Sequence, residues 1–268
     1  MDIKLKKNII YMNSKQKYLK YKKKYIYLKK IYHLLGGLPP ESSVKKPIYT
    51  IKMVGGLCNY LRVMFSYREY AKLNNLHLNV IWLKTHACHG HFCDYFQPLN
   101  DINILYEDNK SLKLDYKGYQ WHPNFSPYEN PKIYKDLKLL PHLKNLVDEK
   151  IKLLKDCNKE YVSIHVRRTD HYAHTPDNDF FEFLDKFKNS KNIYIATDNK
   201  NTYLKYQEKY PTLTKFDYHD ILKNSYRKTS LFDAIIDIYI CVYSKEFKGS
   251  KDSSFSSLIN HLRCITVR

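Results

Sequence analysis

The sequence contains no uninterrupted apolar run of the roughly 20 residues that a transmembrane helix needs. Its beginning carries lysines but lacks the apolar block and small-residue cleavage site of a signal peptide. It is also not poor in apolar residues, as a disordered polyelectrolyte would be, because 43% of its 268 residues are hydrophobic. We therefore expect a soluble, cytoplasmic protein that buries a core in one or two domains.

Closely paired cysteines are absent as well. The six cysteines are scattered along the chain without a CxxC pair, which favours reduced thiols over disulfide bonds. They are Cys58, Cys88, Cys93, Cys157, Cys241 and Cys264. The CHGHFC segment at residues 88–93 contains zinc-ligand residue types, but its spacing fits no common zinc site and no second ligand pair lies nearby. We therefore predict no metal there.

Acidic residues are scarce, and the basic excess is concentrated in an N-terminal arm, residues 1–46. The arm holds 13 lysines against Asp2 and Glu41, which is more than half of the formal net charge of +19. Apolar residues within it recur at alternating spacings of three and four, which predicts an amphipathic helix with lysines on its other face. They are Tyr18, Tyr21, Tyr25, Leu28, Tyr32 and Leu35. Pairs of Gly, Pro and Ser between residues 36 and 43 then predict a linker.

Several partners suit such a helix. Residues 15–35 could lie on an anionic membrane, pair with another helix or contact nucleic acid, of which we consider nucleic acid the weakest candidate. A solvated, partly ordered extension is an equally good interpretation of a lysine-rich run. The KYLKYKKKYIYLKK segment resembles one found at the start of many giant-virus proteins, which implies an appended or targeting element unrelated to catalysis.

From Lys46 onward, short apolar runs alternate with amphipathic stretches, which predicts a layered α/β protein. The predicted strands cover residues 49–54, 78–83, 161–166, 192–196 and 264–267. The predicted helices cover residues 59–74, 139–154, 179–187, 200–210, 231–243 and 254–262. We divide this part into domains at 47–150 and 151–268. Helices between strands indicate parallel sheets, whose ligands gather at the carboxyl ends of the strands.

Two segments at the ends of predicted strands, and a turn before a predicted helix, carry polar groups suited to a nucleotide diphosphate. HVRRTD at residues 165–170 places two guanidiniums, whose planar forks match phosphate oxygens, at a strand end. TDN at residues 197–199 offers partners for ribose or base. GSKDSSFS at residues 249–256 opens a helix, where free backbone N–H groups favour an anion. Each alone has a plainer interpretation, since adjacent arginines are commonly surface charge and serines commonly cap helices.

Together with GGLCNYLR at residues 55–62, these segments resemble in order and spacing the motifs of the fucosyltransferase superfamily, which includes α1,2-, α1,6- and protein O-fucosyltransferases. The resemblance covers residues 48–268. It implies a GT-B fold of two facing Rossmann-like domains, with GDP-fucose bound mainly by the C-terminal one. It also implies an inverting transfer that needs no metal or other cofactor besides the donor, which is GDP-fucose or a related GDP-sugar.

The resemblance assigns roles by position. Arg167 matches the guanidinium that holds the β-phosphate and stabilises the departing GDP. His165 matches a residue near the guanine and ribose. The other matching donor-site positions are Gly56, Cys58, Asn59, Arg168, Asp198, Ser253, Ser254, Phe255 and Ser256. Cys58 replaces the third glycine of the GGLGNQ form common in the family, which leaves the identity of the donor sugar open.

The general base is the least defined role. Candidates that follow the arginines closely are His171, His174, Asp177 and Asp179, and the catalytic set we predict is Arg167, Asp170 and Asp177. Residues 177–179 also imitate the DxD of metal-dependent glycosyltransferases, but their place after a proline and before an amphipathic stretch predicts a helix N-cap.

A second hypothesis belongs to a different class of protein. In it, the chain is a non-catalytic basic scaffold on a degenerate nucleotide-sugar fold, and the arm contacts membrane or nucleic acid. The intact HVRRTD segment favours the glycosyltransferase, which would act on a glycan or protein acceptor.

Overall fold

The computed structural model describes residues 46–155, 160–168, 175–189, 191–211, 213–215 and 229–266. The predicted arm helix and linker therefore lie outside the described residues, apart from Lys46. Among the described helices, none is long and apolar enough to cross a membrane.

The first half forms a parallel four-stranded sheet with the strand order β3-β2-β1-β4. Its strands are β1 (Ile48–Met53), β2 (His77–Ile81), β3 (Ile102–Leu105) and β4 (Tyr116–Gly118). Helix α1 (Leu57–Leu73) connects β1 to β2, and helix α2 (Pro141–Leu154) follows the sheet. Two 3-10 turns, Phe92–Asp94 and Pro131–Asp136, lie between β2 and α2. Proline suits the first position of α2 because no intrahelical acceptor exists for an N–H there.

The second half repeats this arrangement with the order β7-β6-β5-β8, again parallel throughout. Its strands are β5 (Tyr161–Val166), β6 (Asn192–Thr197), β7 (Leu213–Thr214) and β8 (Phe247–Gly249). Its helices are α3 (Asp177–Asp185), α4 (Lys200–Lys209), α5 (Leu231–Val242) and α6 (Ser254–Thr266). Every residue of β5 is buried, as expected for a strand covered on both faces.

Two groups of buried side chains hold these layers together. The larger core joins α1, α2, α5 and α6 and includes Leu61, Val147, Ile240 and Leu258. The smaller core lies among β5, β6, α3 and α4 and includes Val162, Ile164, Phe180, Ile195 and Tyr206. Elements from both halves of the chain thus contribute to one apolar core, which fixes their strand ends near each other.

Most of the predicted elements are confirmed to within two residues at each end, but the strand predicted at residues 264–267 is wrong. Helix α6 continues through Thr266. Leu258, Leu262 and Ile265 recur at spacings of four and three and contact the larger core, so the helical face extends into the segment. The short strands β3, β4, β7 and β8 were not predicted, because two to four residues carry too little periodic signal.

Candidate active site

The end of β5 and the start of α6 are joined at one edge of the second sheet. Strand β8 pairs with β5 so that Gly249 lies opposite His165. The Ser250 hydroxyl donates to the His165 carbonyl over 3.0 Å and accepts from the Arg167 amide over 3.0 Å. The predicted meeting of residues 165–168 with residues 249–256 is therefore present in the described residues.

The His165 imidazole supports this junction. It is buried, its Nδ1 lies 2.7 Å from Ser256 Oγ, and its ring stacks on Phe255 with 4.3 Å between centroids. These two contacts fix the first turn of α6 against β5.

The backbone between β8 and α6 is tightly folded. A Cβ added at Gly249 would lie 2.6 Å from the Ser256 Cβ, and Asp252 has a positive φ of 55°. Ser253 is fully buried and caps α6, because its Oγ accepts from the Ser256 amide over 3.4 Å. Among the described residues, none accepts a hydrogen bond from the amides of Ser254 and Phe255, so these two donors of the helix start remain for a ligand.

Arg168 is held by the protein itself. Its guanidinium donates to the Thr175 carbonyl over 2.9 Å and to Asp177 Oδ1 over 2.6 Å. Its backbone amide donates to Asp198 Oδ1 over 3.3 Å. The side chain therefore links the end of β5 to the start of α3, whereas Arg167 is half-buried and its backbone amide donates to Ser250.

Asp177 accepts the hydrogen bond from the Arg168 guanidinium, and its surroundings bear on two predictions about it. Its carboxylate also accepts from Lys205 Nζ over 2.6 Å and from the Tyr206 hydroxyl over 2.8 Å. Burial raises the pKa of Asp177, but hydrogen bonds from Lys205, Arg168 and Tyr206 outweigh this effect and lower it to about 2. So weak a base with its oxygens engaged is a poor proton acceptor. The N-cap prediction is wrong, because Pro176 occupies that position and no side chain caps α3.

The end of β6 lies beside the same arginines. The Thr197 hydroxyl donates to the Val166 carbonyl over 2.7 Å, and Asn199 caps α4 by accepting from the Thr202 amide over 2.9 Å. Sequence reasoning missed Lys215, whose Nζ donates to the Thr197 carbonyl over 2.8 Å. Burial lowers the pKa of Lys215 to about 8, against the opposing effect of Asp237, Asp198 and Asp233. The sequence shows at this position only a lysine after a short apolar segment, which does not distinguish Lys215 from the other lysines.

The GGLCNY turn occupies the corresponding edge of the first sheet. Gly55 has a φ of 100°, and a Cβ there would lie 2.5 Å from Asn59 Nδ2, so glycine is required. Gly56 is the N-cap of α1, Cys58 is buried, and Asn59 is half-buried. These residues sit at the end of β1, as predicted.

The turn and the start of α6 meet across a small pocket. Cys58 and Arg62 of α1 line it together with Ser254 and His261 of α6. The Tyr128 hydroxyl, on another wall, donates to Ser257 Oγ over 3.1 Å. Of the predicted positions, Asp170 lies outside the described residues, as do His171 and His174.

The CHGHFC segment has structural contacts. His89 Nε2 accepts from the Leu231 amide at the start of α5 over 3.1 Å, and the Gly90 carbonyl accepts from Trp82 Nε1 over 2.9 Å. His91 stacks on Tyr106. In the described part of the chain, no three His, Cys, Asp or Glu side chains are grouped so that they could hold a metal ion. Cys93, Cys241 and Cys264 are free thiols, as predicted.

A family model described as GDP-fucose protein O-fucosyltransferase matches residues 4–266. The chain belongs to this family. The family is one of fucosyltransferases, which are a class of glycosyltransferases. The match begins within the predicted arm, whereas the motifs identified from the sequence begin after it.

Solved structures of fucosyltransferases share the family fold. NodZ α-1,6-fucosyltransferase co-crystallised with GDP is 11% identical, with a TM-score of 0.57 over 81% of this chain and 92% of that chain. Selenomethionine NodZ from Bradyrhizobium is 12% identical, with a TM-score of 0.57 over 81% and 92%. POFUT1 in complex with GDP-fucose is 11% identical, with a TM-score of 0.56 over 84% and 96%. These likenesses confirm the α/β, GT-B fold. No curated protein sequence is similar enough to count as a relative.

Proposed function

We propose that the chain transfers fucose from GDP-fucose, or the sugar of a related GDP-sugar, to a hydroxyl of a glycan or protein acceptor, with inversion and without a divalent metal. The observation that carries the proposal is the junction of residues 165–168 with residues 249–256, made by Ser250 and by the His165–Ser256 hydrogen bond. Family membership supports the donor, as do the neighbours that were crystallised with GDP or GDP-fucose.

The donor pyrophosphate has suitable partners at this junction. The amides of Ser254 and Phe255 and the dipole of α6 favour an anion at the helix start. Arg167 would offer a planar fork to the β-phosphate, and Asp198, which accepts from the Arg168 amide, and His165 would face the nucleoside. Gly56, Cys58 and Asn59 would approach the sugar phosphate from the first sheet.

The proposed chemistry breaks the bond between the anomeric carbon and the β-phosphate oxygen. Negative charge then develops on GDP, and a preorganised guanidinium at Arg167 stabilises that charge in the transition state. An acceptor hydroxyl attacks the opposite face of the anomeric carbon and loses its proton to a base. The contacts of Asp177 disfavour it as that base, which leaves His171, His174 and Asp179 as the candidates for this role.

A thermal-shift comparison tests the proposal. A nucleotide that binds the folded state alone raises the melting temperature, so GDP should stabilise the protein more than UDP, CMP or dTDP. The GDP shift and GDP-fucose turnover should persist in EDTA. Failure of all four nucleotides to bind would favour the scaffold hypothesis, and activity that EDTA abolishes and Mn²⁺ restores would contradict metal independence.

From the sequence alone, we also propose that the protein resides in the cytoplasm and that residues 15–35 bind an anionic membrane or a partner helix. The domain boundaries at residues 46 and 150 and the giant-virus origin likewise stay predictions.

A further inference from the structure

Three aromatic side chains and one arginine form a surface beside the pocket that faces the donor junction. We define this aromatic platform as Tyr119, Trp121, Tyr128 and Arg62. Tyr119 is 52% exposed and Tyr128 is 55% exposed, while Trp121 is partly exposed. Large aromatic side chains are costly to leave in water, and a group of them indicates a ligand surface.

The fold places the platform at the edge that carries the GGLCNY turn. Gly118, the last residue of β4, lies opposite Met53, the last residue of β1, and the Val54 amide donates to the Gly118 carbonyl over 2.9 Å. Because the two strands are parallel, the segments that follow them leave the sheet at the same edge. Residues 119–128 and the GGLCNY turn are therefore neighbours.

The platform is held in one arrangement before any ligand arrives. Arg62 Nε donates to the Tyr119 carbonyl over 2.8 Å, and its guanidinium lies 5.2 Å from the centroid of the Trp121 ring. Ser66 of α1 bridges the same loop, accepting from the His122 amide over 2.8 Å and donating to the Phe125 carbonyl over 2.9 Å. A surface ordered in advance loses less conformational entropy when it binds.

The platform also reaches the donor side of the site. Trp121 and Tyr128 have ring centroids 5.3 Å apart, and the Tyr128 hydroxyl donates to Ser257 of α6. Tyr128 and Arg62 line one pocket with Ser254, a residue of the proposed pyrophosphate segment, and with His261. The His261 imidazole is 8% exposed, and its Nδ1 has no hydrogen-bond partner among the described residues, so this wall offers a ring nitrogen that can accept or donate according to the tautomer.

We infer that the aromatic platform is the acceptor-binding surface and that the acceptor is a carbohydrate. A pyranose ring presents an apolar C–H face that packs on an aromatic ring, whose π face is electron-rich, and a rim of hydroxyls. Among the described residues no carboxylate pairs with Arg62, so its remaining N–H groups are suited to those hydroxyls. A peptide added to the edge strand β4 would need pockets for its alternate side chains, whereas the platform presents the faces of aromatic rings. The inference rests on the proposed transfer reaction.

Calorimetric titration of the GDP-saturated protein with glucose, N-acetylglucosamine and galactose tetrasaccharides tests it. We expect at least one to bind and to change the fluorescence of Trp121, since the other tryptophan, Trp82, is fully buried. Trp121→Ala or Tyr128→Ala should weaken that affinity about tenfold, the effect of losing one stacking contact. Tyr128→Phe, which keeps the ring, and Leu204→Ala, an exposed apolar control on α4, should bind normally.

The outcomes separate this inference from the proposed function. Wild-type protein that binds GDP and hydrolyses GDP-fucose but binds none of the tetrasaccharides would overturn the inference alone. Unchanged tetrasaccharide affinity in both alanine variants would do the same, as would binding of serine- and threonine-containing decapeptides in place of sugars. Wild-type protein that binds no GDP would instead remove the proposed function.

Discussion

Two adjacent arginines at the end of β5 have different surroundings. Arg168 is enclosed by the Thr175 carbonyl and Asp177, while Arg167 has its amide fixed by Ser250 at the edge where the donor would bind. Two identical adjacent residues do not reveal this difference in the sequence, because the partners of the Arg168 guanidinium come from α3 and the segment just before it. Arg168 therefore stabilises the link between β5 and α3, and contact with phosphate is the role that we propose for Arg167.

Replacing Arg168 should lower stability. Arg168→Ala leaves Asp177 without its less exposed cationic partner and removes the link from β5 to α3, so we expect a loss of about 1–3 kcal/mol in the free energy of unfolding. Lys205→Ala removes another partner of Asp177 that is itself exposed, and should cost less than about 1 kcal/mol. Urea unfolding of both variants checks this order, and equal stability of Arg168→Ala and wild type would contradict it.

The protonation of His261 should make the protein sensitive to acid. Burial lowers the pKa of His261 to about 4, so below the ordinary value of 6.5 the unfolded state binds more protons than the folded one. Stability should therefore fall as the pH drops from 6.5 to 4, by roughly 3 kcal/mol from this residue. His261→Phe keeps a ring beside Tyr134 and cannot titrate, so unfolding measured across this range should show a shallower decline. If the stability of wild type and of His261→Phe declined equally over this pH range, His261 would not be the source of the acid sensitivity.

At the scale of elements, helices and strands with long apolar patterns were predicted from the sequence, and those with short patterns were not. Strands β5 and β6 were predicted because six-residue buried runs have few alternatives, and α5 because ten of its twelve residues are buried. Strands β7 and β8 have two and three residues, so pairing with β6 and β5 defines them more than their own sequence does. The error at residues 264–267 has the same origin, since a short apolar run fits a strand or the end of a helix equally well.

The turn between β8 and α6 should tolerate no side chain at its glycine. In Gly249→Ala the new Cβ would press on Ser256, at 2.6 Å from its Cβ, and disturb the hydrogen bond to His165. We expect overpacking to cost about 1–3 kcal/mol of stability and GDP affinity to fall about tenfold. Lys248→Ala, one residue earlier in β8, is the control and should retain GDP affinity in calorimetry. Normal GDP binding by Gly249→Ala would show that this turn is not part of the donor site.

At the scale of the whole molecule, the candidate site depends on contacts that sequence order only partly specifies. The order of parallel strands predicted that residues 165–168 and 249–256 share an edge, and Ser250 confirms their contact. The aromatic platform and Lys215 could not be predicted in the same way. Their proximity to the site follows from β4 pairing with β1 and β7 pairing with β6, which the sequence did not indicate.

Removal of the basic arm tests the division of the chain. The arm holds more than half of the net charge of +19, yet the motifs assigned to the donor all follow it. We expect deletion of residues 1–40 to leave GDP affinity unchanged while weakening binding to anionic vesicles, and that binding in the full chain should fall steeply with salt. The match to the family model begins at residue 4, inside the arm, so a loss of GDP affinity on deletion would also be interpretable. A folded truncation that no longer binds GDP would make the arm part of the catalytic domain.

The central claim is that Arg167 stabilises the charge that develops on departing GDP, and the rate of GDP-fucose turnover by Arg167→Lys tests it most directly. The rate can be followed without an acceptor as GDP released by hydrolysis. An ammonium keeps the charge but lacks the planar fork, so turnover should fall by about 100-fold or more while the melting temperature stays at the wild-type value. Turnover by Arg167→Lys within a few-fold of wild type would contradict the account.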